Sequence, residues 1–425
     1  MRITVLTLHA RGDTEPFIAL ALRLKSQGHS VRLAARPDVK DLVQDYGIGF
    51  APLGNPYQPF IAGAAKASAT GSGHPVSKLR YGLRQRSYVT EGLHDDAWKA
   101  AQGADAVVFK YPWITAYTVA EKLAVPCVPV MLLPLTPTRA FPSFMTGRAI
   151  NRGPLLNQLV WHLPWEAVWQ GLRWDDKKLR RQLGLPLLPF RGALPEERHG
   201  MPILCAWSPA VLPPPGDWPA NRNVTGYWFL DPPPTWQPST ELARFLQAGP
   251  PPVSIGFGSM VSRDRAATLK IILDALKLTG LRAVLLSGWS EIGAGIDLPK
   301  TVFSAPSIPH SWLFPRMAAV VHHGGAGTTG AGLRAGIPSV ICPHLADQPS
   351  WARVVHNLGA GPHPIPFRDL TAPRLAQALH NATTNPFIRQ RAAALGSKIR
   401  AEDGAGRAAE AILHYARPFQ PASPQ

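Results

Sequence analysis

The stretch AAVVHHGGAGTTGAGLRAG, residues 318–336, carries the clearest structural pattern of the chain and points to one site. Its apolar opening predicts a β-strand, its glycines predict a tight loop, and the apolar spacing from Thr328 to Ala335 predicts a helix. Glycines let backbone N–H groups approach a ligand, and a helix N-terminus adds roughly half a positive charge. The stretch therefore predicts a strand–loop–helix unit that binds a phosphate group.

The same order of elements recurs along the 425 residues. In the first half, strands are predicted in RITVLTL, VRLAA, GIGFAPL, DAVVFK and VPCVPVML. In the second half, they are predicted in VSIGFGS, LRAVLLSG, TVFSAP, AAVVHH and PSVICP. Strands that alternate with helices predict α/β domains with parallel sheets, and this length predicts two of them. We expect two facing Rossmann-like, doubly wound domains, residues 1–235 and 236–425, with a cleft between them. The last helix could pack back on the first domain.

Composition excludes several other classes of protein. Hydrophobic residues make up 45% and charged residues 17%, which is typical of a globular chain. The three cysteines have no spacing that would hold zinc or form a disulfide framework, so we expect no metal site. The longest apolar run is too short and too rich in proline to span a bilayer. We expect a cytoplasmic protein.

The formal net charge of +17 calls for an acidic partner to be considered. Basic residues concentrate in the first half of the chain, for example at Lys177, Lys178, Arg180 and Arg181. They form either a solvated surface or a peripheral contact with an anionic membrane at its inner face. We expect no nucleic-acid partner, because no recognised nucleic-acid module accompanies the charge. A basic membrane-surface binding protein is therefore one alternative function.

A nicotinamide-dependent oxidoreductase is a second alternative. Gly325, Gly327 and Gly330 satisfy the GxGxxG pattern, and Asp347 follows about 20 residues later, as in dinucleotide-binding folds. However, the pattern lies late in the chain, two histidines precede it, and Gln348 follows Asp347 directly. Of the two histidines, we expect His323, beside the glycines, to contact a ligand and His322 to be an ordinary strand-end residue.

Five segments together resemble the inverting glycosyltransferases of GT-B fold, within the branch of sterol glucosyltransferases and glycopeptide and macrolide enzymes. They are RGDTEPFIALALRLKSQGHSVRLAA, GYWFLDPPPTW, IGFGSM, IPHSWLFPRMAAVVHHGGAGTTGAGLRAGIPSVICP and DQPSWA. They cover both ends of the chain and the linker but not the middle of the first domain. The resemblance implies transfer of a hexose, glucose foremost, from a UDP-sugar to a hydroxyl of a hydrophobic acceptor, sterol-like or polyketide-like. It implies no cofactor and no metal.

The resemblance also implies which residues bind the nucleotide-sugar donor. The diphosphate would be held by Ser259, His323, Gly325, Gly327 and Thr328. The sugar hydroxyls would be held by Asp347 and Gln348, since a carboxylate accepts hydrogen bonds that an amide complements by donating. The nucleotide base would be held by the loop that contains Ser307, Ile308 and His310, and the backbone of Ile308 would recognise it.

Asp13 matches the aspartate that the resembling branch uses as a proposed catalytic base. Transfer to a hydroxyl needs such a base, because the alcohol loses its proton as it attacks the anomeric carbon. The alternative is that Asp13 caps the helix that follows it. His9 stands where the branch usually has glycine, and it either assists the base or fills the cleft.

Trp161, Trp165 and Trp169 recur at four-residue spacing and would share one face of a helix that Pro164 kinks or delimits. Such a stripe is either core or a functional surface. As a functional surface, it would form an apolar wall that binds the acceptor, or it would face a membrane.

Overall fold

The computed structural model describes residues 1–8, 11–56, 88, 90–146, 153–190, 201–258, 264–288, 292–293 and 295–417. His9 and Ser259 lie outside these ranges. The side chains at 146, 159–160 and 162–168, and so that of Trp165, are also outside the description.

The described part of the first half forms a parallel sheet of seven strands in the order β3–β2–β1–β4–β5–β6–β7. The strands are β1 (Arg2–Leu6), β2 (Ser30–Ala35), β3 (Gly49–Pro52), β4 (Ala106–Lys110), β5 (Cys127–Met131), β6 (Ile203–Cys205) and β7 (Arg222–Val224). The strand order reverses between β1 and β4. Ligands of such sheets bind at this switch point, outside the carboxyl ends of the strands.

Helices cover both faces of this sheet, as the fully buried strands require. They are α1 (Arg11–Ser26), α2 (Lys40–Gln44), α3 (Leu93–Ala101), α4 (Ile114–Leu123) and α5 (Pro154–Gln182). Val5 of β1 packs on one side of the sheet with Phe17 of α1, while the neighbouring Leu6 packs on the other side with Ile114 of α4. The alternation of side chains along a strand thus supplies both layers of the core.

The second half forms a smaller parallel sheet in the order β10–β9–β8–β11–β12. Its strands are β8 (Val253–Gly256), β9 (Ala283–Leu286), β10 (Val302–Ala305), β11 (Ala319–His322) and β12 (Ser339–Ile341). Its helices are α6 (Thr240–Gln247), α7 (Arg265–Thr279), α8 (His310–Leu313), α9 (Ala326–Ala335), α10 (Gln348–Asn357), α11 (Ala372–Thr384) and α12 (Pro386–Arg400). The switch point of this sheet lies between β8 and β11.

The final described helix, α13 (Gly404–Ala416), leaves the second half and packs on α1. Its Ala408 and Ile412 belong to the same buried cluster as Phe17 of α1. Asp403 accepts a hydrogen bond from the backbone N–H of Gly406 at the start of α13, and it also pairs with Arg23 of α1. The end of the chain therefore ties the two halves together.

Two glycines inside helices give opposite stability predictions. A Cβ on Gly396 of α12 would lie 2.5 Å from the Cα of Gly336, whereas a Cβ on Gly171 of α5 meets nothing within 4 Å. Gly396→Ala should therefore lower the free energy of unfolding by about 1–3 kcal/mol through overpacking. Gly171→Ala should raise it by up to about 1 kcal/mol, because alanine favours a helix. Denaturation of the two variants beside the wild type measures both. Shifts in the same direction would contradict the close contact of α12 with Gly336.

Candidate active site

The two switch points face each other across a cleft. The loop after β1 leads into α1 of the first domain, and the loop after β11 leads into α9 of the second. A Cβ on Gly327, in the first turn of α9, would lie 3.8 Å from the backbone oxygen of Gly12. The first turns of these two helices are therefore close neighbours, and residues that flank them share one space.

On the first-domain side, Asp13 forms an ion pair with Lys110. The Lys110 Nζ lies 2.7 Å from Asp13 Oδ2, and the two side chains are only 16% and 31% exposed. Asp13 lies within the first turn of α1, and Lys110 ends β4, the strand next to β1. Asp13 is therefore not the residue that precedes the helix. A short, partly shielded charge-assisted contact fixes the position of the carboxylate at the switch point.

On the second-domain side, Asp347 lies in the loop after β12. The Trp351 indole Nε1 donates to Asp347 Oδ2 at 3.0 Å. Burial raises the pKa of Asp347 to about 6, the Asp13 carboxylate adds to this increase, and the Lys110 ammonium opposes it. Charges of the first domain thus act directly on a carboxylate of the second. The structure therefore brings Asp13, Lys110 and Asp347 to one place.

Gln348, the neighbour of Asp347, is buried and supports the loop itself. Its Oε1 accepts hydrogen bonds from the backbone N–H groups of His344 at 2.8 Å and Leu345 at 3.2 Å. Its expected contact with a sugar hydroxyl stays a prediction. The position of the Asp347 loop depends on Gln348.

The two histidines after β11 differ in their surroundings. His322 is 1% exposed, and its Nδ1 accepts from the backbone N–H of Gly324 at 3.0 Å. His323 fits between two glycines: a Cβ on Gly258 would lie 3.1 Å from its Cε1, and one on Gly325 would lie 2.6 Å from its Nε2. His322 is thus built into the strand end, whereas His323 is built into the glycine loop.

Both imidazoles are neutral at physiological pH. Burial places the pKa of His322 well below its usual value, and burial with the neighbouring His344 and His310 lowers the pKa of His323 to about 4. Within the described part of the chain, His323 Nδ1 is buried and has no hydrogen-bond partner. A neutral imidazole offers a ligand a hydrogen bond without the cost of burying a charge.

The glycines of the loop serve three different purposes. Gly325 is the N-cap residue of α9, and Gly327 faces the backbone of the first domain. A Cβ on Gly330 would lie 2.8 Å from the ring of Tyr227, a residue shortly after β7. Gly330 is therefore required by packing against the segment that joins the two halves, and this requirement accounts for the third glycine of the GxGxxG pattern. Thr328 is half-buried in the first turn of α9.

The loop expected to hold the nucleotide base lies on the second-domain side of the cleft. Ser307 is exposed, Ile308 is buried among apolar residues, and the His310 ring stacks on Phe314 with centroids 4.4 Å apart. Burial lowers the pKa of His310, and Glu15 and Arg11 of the first domain act on that pKa in opposite directions. The contacts of this loop with a nucleotide base stay predictions.

The sequence pattern did not single out two residues of the site, Lys110 and Trp351. Lys110 ends the predicted strand DAVVFK, so its position at a carboxyl end was the available signal. Trp351 follows Asp347 by four residues, the spacing that brings side chains together on a helix. Both act on carboxylates that the sequence did single out.

The described side chains of the tryptophan stripe belong to the core, one of the alternatives that the sequence left open. Trp161 and Trp169 are each only 3% exposed, and the Trp161 Nε1 donates to the backbone oxygen of Phe141 at 3.1 Å. Of the functional alternatives, a surface that faces a membrane does not fit these two side chains, because both pack into the first domain. Their contact with an acceptor stays a prediction, and the side chain of Trp165 lies outside the described residues.

An aromatic cluster borders the site from the first domain. The rings of Phe141 and Phe144 lie 5.6 Å apart, and Phe144 lies 5.1 Å from the ring of Trp351. Phe144 and Trp351 are 3% and 0% exposed, so these rings pack the two halves together beside Asp347.

Comparisons with known proteins agree with the division of the chain into two halves. The family model described as glycosyltransferase family 28 N-terminal domain matches residues 3–142. The model described as erythromycin biosynthesis protein CIII-like, C-terminal domain, matches residues 290–411. The two matches fall on the two halves of the cleft.

Among curated proteins, the sterol 3-beta-glucosyltransferase UGT80B1 of Arabidopsis thaliana is 34% identical over 99% of this chain and 69% of its own length. The sterol 3-beta-glucosyltransferase of Cryptococcus neoformans is 35% identical over 98% of this chain. This chain spans only 27% of the length of that fungal relative. Among solved structures, the glycotransferase of kitacinnamycin matches with a TM-score of 0.68 at 20% identity, over 97% of this chain and 98% of its own. That match shows the fold.

The two histidines give a prediction with separate readouts. His323→Ala should lower turnover about a hundredfold or more, as removal of a preorganised donor typically does, with little change in melting temperature. His322→Ala should mainly lower the melting temperature, because the buried Gly324 N–H loses its acceptor. Turnover per folded molecule and thermal melting measure the two effects. Equal, mild losses of turnover in both variants would overturn the distinction.

Proposed function

Because this chain belongs to the family of the sterol 3-beta-glucosyltransferases, with the GT-B fold, we propose that it is an inverting glycosyltransferase. In this proposal it moves a hexose, glucose foremost, from a UDP-sugar to a hydroxyl of a hydrophobic acceptor. The acceptor is sterol-like or resembles a polyketide.

One observation supports this function most directly. Asp13 and Lys110 of the first domain face Asp347 of the second closely enough for their charges to act on its pKa. A base and a sugar-binding carboxylate on opposite walls of one cleft are what transfer between two bound substrates requires. The reacting groups are then held in place, which lowers the entropic part of the barrier.

The proposed reaction is a direct displacement. The acceptor oxygen forms a bond to the anomeric carbon as the bond from that carbon to the diphosphate oxygen breaks. The acceptor proton passes to the Asp13 carboxylate, which Lys110 holds in position, and UDP leaves with the bonding electron pair. Attack from the side opposite the leaving group inverts the anomeric centre.

Charge develops on the leaving diphosphate, and the second domain supplies groups suited to it. The N-terminus of α9 presents backbone N–H groups and a positive dipole end. His323 is neutral and adds a hydrogen bond, and Thr328 adds a hydroxyl in the same turn. Asp347 accepts hydrogen bonds from the sugar hydroxyls, while Gln348 holds its loop. The loop at Ser307, Ile308 and His310 is assigned to the binding of the nucleotide base.

The hydrophobic acceptor is supported by the curated relatives, which are sterol 3-beta-glucosyltransferases. In the aromatic cluster, Phe141 is half-buried and offers apolar surface on the first-domain side, whereas Phe144 and Trp351 are 3% and 0% exposed and pack the two halves together.

We propose that the reaction needs no metal and no nicotinamide cofactor. His323 and α9 supply the diphosphate contacts, and the described residues contain no group of three or more His, Cys, Asp or Glu suited to a metal ion. The packing role of Gly330 against Tyr227 explains the dinucleotide-like pattern without a dinucleotide.

We also propose peripheral contact with an anionic membrane and no nucleic-acid partner. In the described ranges, none of the helices combines the length and the apolar character needed to cross a bilayer. A net charge of +17 would attract the protein to the surface of an anionic membrane.

The test of this function is Asp13→Asn. Asparagine can still accept a hydrogen bond from Lys110, so the fold and the affinity for UDP should survive. Transfer should fall roughly 10²–10⁴-fold, since an amide cannot take the acceptor's proton. Transfer rate, UDP affinity and melting temperature are measured on one preparation.

Asp105→Asn is the matched control. Asp105 also forms an ion pair, with Arg2 at 3.0 Å. However, it lies just before β4, at the amino end of the strand, whereas Lys110 lies at the carboxyl end. This control should keep its transfer rate. Full activity in Asp13→Asn, or an equal loss in both variants, would remove Asp13 from the role of base.

A further inference from the structure

The surface around the second half of α5 exposes large apolar side chains. Trp174 is 68% exposed, Phe190 is 64% exposed and Leu187 is 47% exposed. Among the described tryptophan side chains of this helix, Trp174 faces solvent, in contrast with Trp161 and Trp169. Tryptophan and phenylalanine at such exposure suit a boundary between water and apolar matter.

Cations surround these rings. The guanidinium of Arg173 lies 5.2 Å from the Phe190 ring centroid, and the Lys177 Nζ lies 5.4 Å from the Trp174 ring centroid. Lys178 and Arg181 follow Trp174 by four and seven residues, so they share its helix face. Glu91, Asp95 and Asp175 line a groove with Trp174 and Lys178 and offset positive charge there, whereas Arg173, Lys177 and Arg181 lie outside that groove. Asp176 is buried, and the buried Arg180 pairs with the half-exposed Glu121.

The segment that carries Leu187 and Phe190 is fixed against the helix. Gln170 Nε2 donates to the backbone oxygen of Phe190 at 2.7 Å, and Arg180 Nε donates to that of Pro186 at 2.5 Å. The exposed rings of Trp174 and Phe190 and the cations beside them are here named the α5 surface: Arg173, Trp174, Lys177, Lys178, Arg181 and Phe190.

We infer that the α5 surface docks the first domain on an anionic lipid bilayer. Its aromatic rings would enter the interface, and its cations would meet lipid phosphates and carboxylates. Charge complementarity favours this occupant over a second copy of the chain, because a net charge of +17 attracts the protein to anionic lipid and repels another copy.

The same helix leads to the cleft. At its start, Asn157 donates to the backbone oxygen of Arg139, and Trp161 contacts Phe141 of the aromatic cluster. Trp174 lies 17 residues after Asn157, about 25 Å along the helix. Docking would thus hold the acceptor side of the cleft close to the membrane. This consequence rests on the proposed function, whereas the docking itself does not.

The test is co-sedimentation of the full chain with vesicles. We expect binding to phosphatidylcholine vesicles that contain phosphatidylglycerol, weaker binding as salt rises, and little binding to phosphatidylcholine alone. Trp174→Ala with Phe190→Ala should lower the bound-to-free ratio about tenfold or more. Lys177→Gln with Lys178→Gln should lower it about fivefold for each lysine.

The matched control is Lys277→Gln with Leu278→Ala at the end of α7. This pair also joins an exposed lysine to an exposed apolar residue, with Leu278 65% exposed, but lies on the second domain. It should bind anionic vesicles like the wild type. Equal losses in control and test variants, equal binding to neutral vesicles, or unchanged binding of the Trp174 and Phe190 variant would each overturn the α5 surface.

Transfer to a water-soluble acceptor is measured on the same preparations. The Trp174 and Phe190 variant should keep the wild-type rate, because its substitutions lie away from the cleft. A loss of that rate would overturn a role limited to docking. If the wild type itself transfers nothing, the proposed function fails, while the vesicle results still decide the α5 surface.

Discussion

The close approach of Gly327 to the backbone of Gly12 is the constraint on which the site depends. In each parallel sheet the chain leaves at the carboxyl ends of the strands, and the reversal of strand order opens a crevice there. One crevice alone would hold one ligand. Because the first turns of α1 and α9 meet, the two crevices form one cleft, and groups on its walls can act on two bound molecules at once. The return of α13 to α1 maintains this arrangement.

Electrostatics give the two walls different tasks. The first domain contributes an ion pair, Asp13 with Lys110, which positions a carboxylate where a hydroxyl would lose its proton. The second domain keeps His322 and His323 neutral through burial and offers an N-terminal helix end, so it suits a ligand that brings its own negative charge. Burial raises the pKa of Asp347, and Asp13 and Lys110 of the opposite wall act on that pKa in opposite directions.

Much of this could be predicted from the sequence. The strand, glycine loop and helix at residues 318–336 appear as β11 and α9, because local periodicity and glycine chemistry determine them. The short strands β6 and β7 were not predicted, since three-residue strands in a proline-rich stretch carry almost no periodic signal. The helix α5 continues through Pro164, which the sequence suggested would kink or delimit it.

Contacts between segments that lie far apart in the chain could not be predicted from the sequence either. The pairing of Asp13 with Lys110 depends on β1 and β4 being neighbours, and Phe144 meets Trp351 only through the docking of the two halves. Helical spacing grouped Trp161 with Trp169 correctly, but it could not tell a buried face from an exposed one. The exposed Trp174 was found only once the core was known.

Transfer of a hexose with inversion at the anomeric carbon is the activity that we propose for the cleft. It can be measured in a reaction of the purified chain with UDP-glucose and a sterol, followed by NMR of the product and quantification of released UDP. We expect a β-linked glucoside and one UDP for each sugar transferred, because UDP-glucose carries an α linkage and a single displacement inverts it. An α-linked product would contradict the direct displacement. No transfer from any nucleotide sugar, together with binding and reduction of a nicotinamide cofactor, would contradict the function itself.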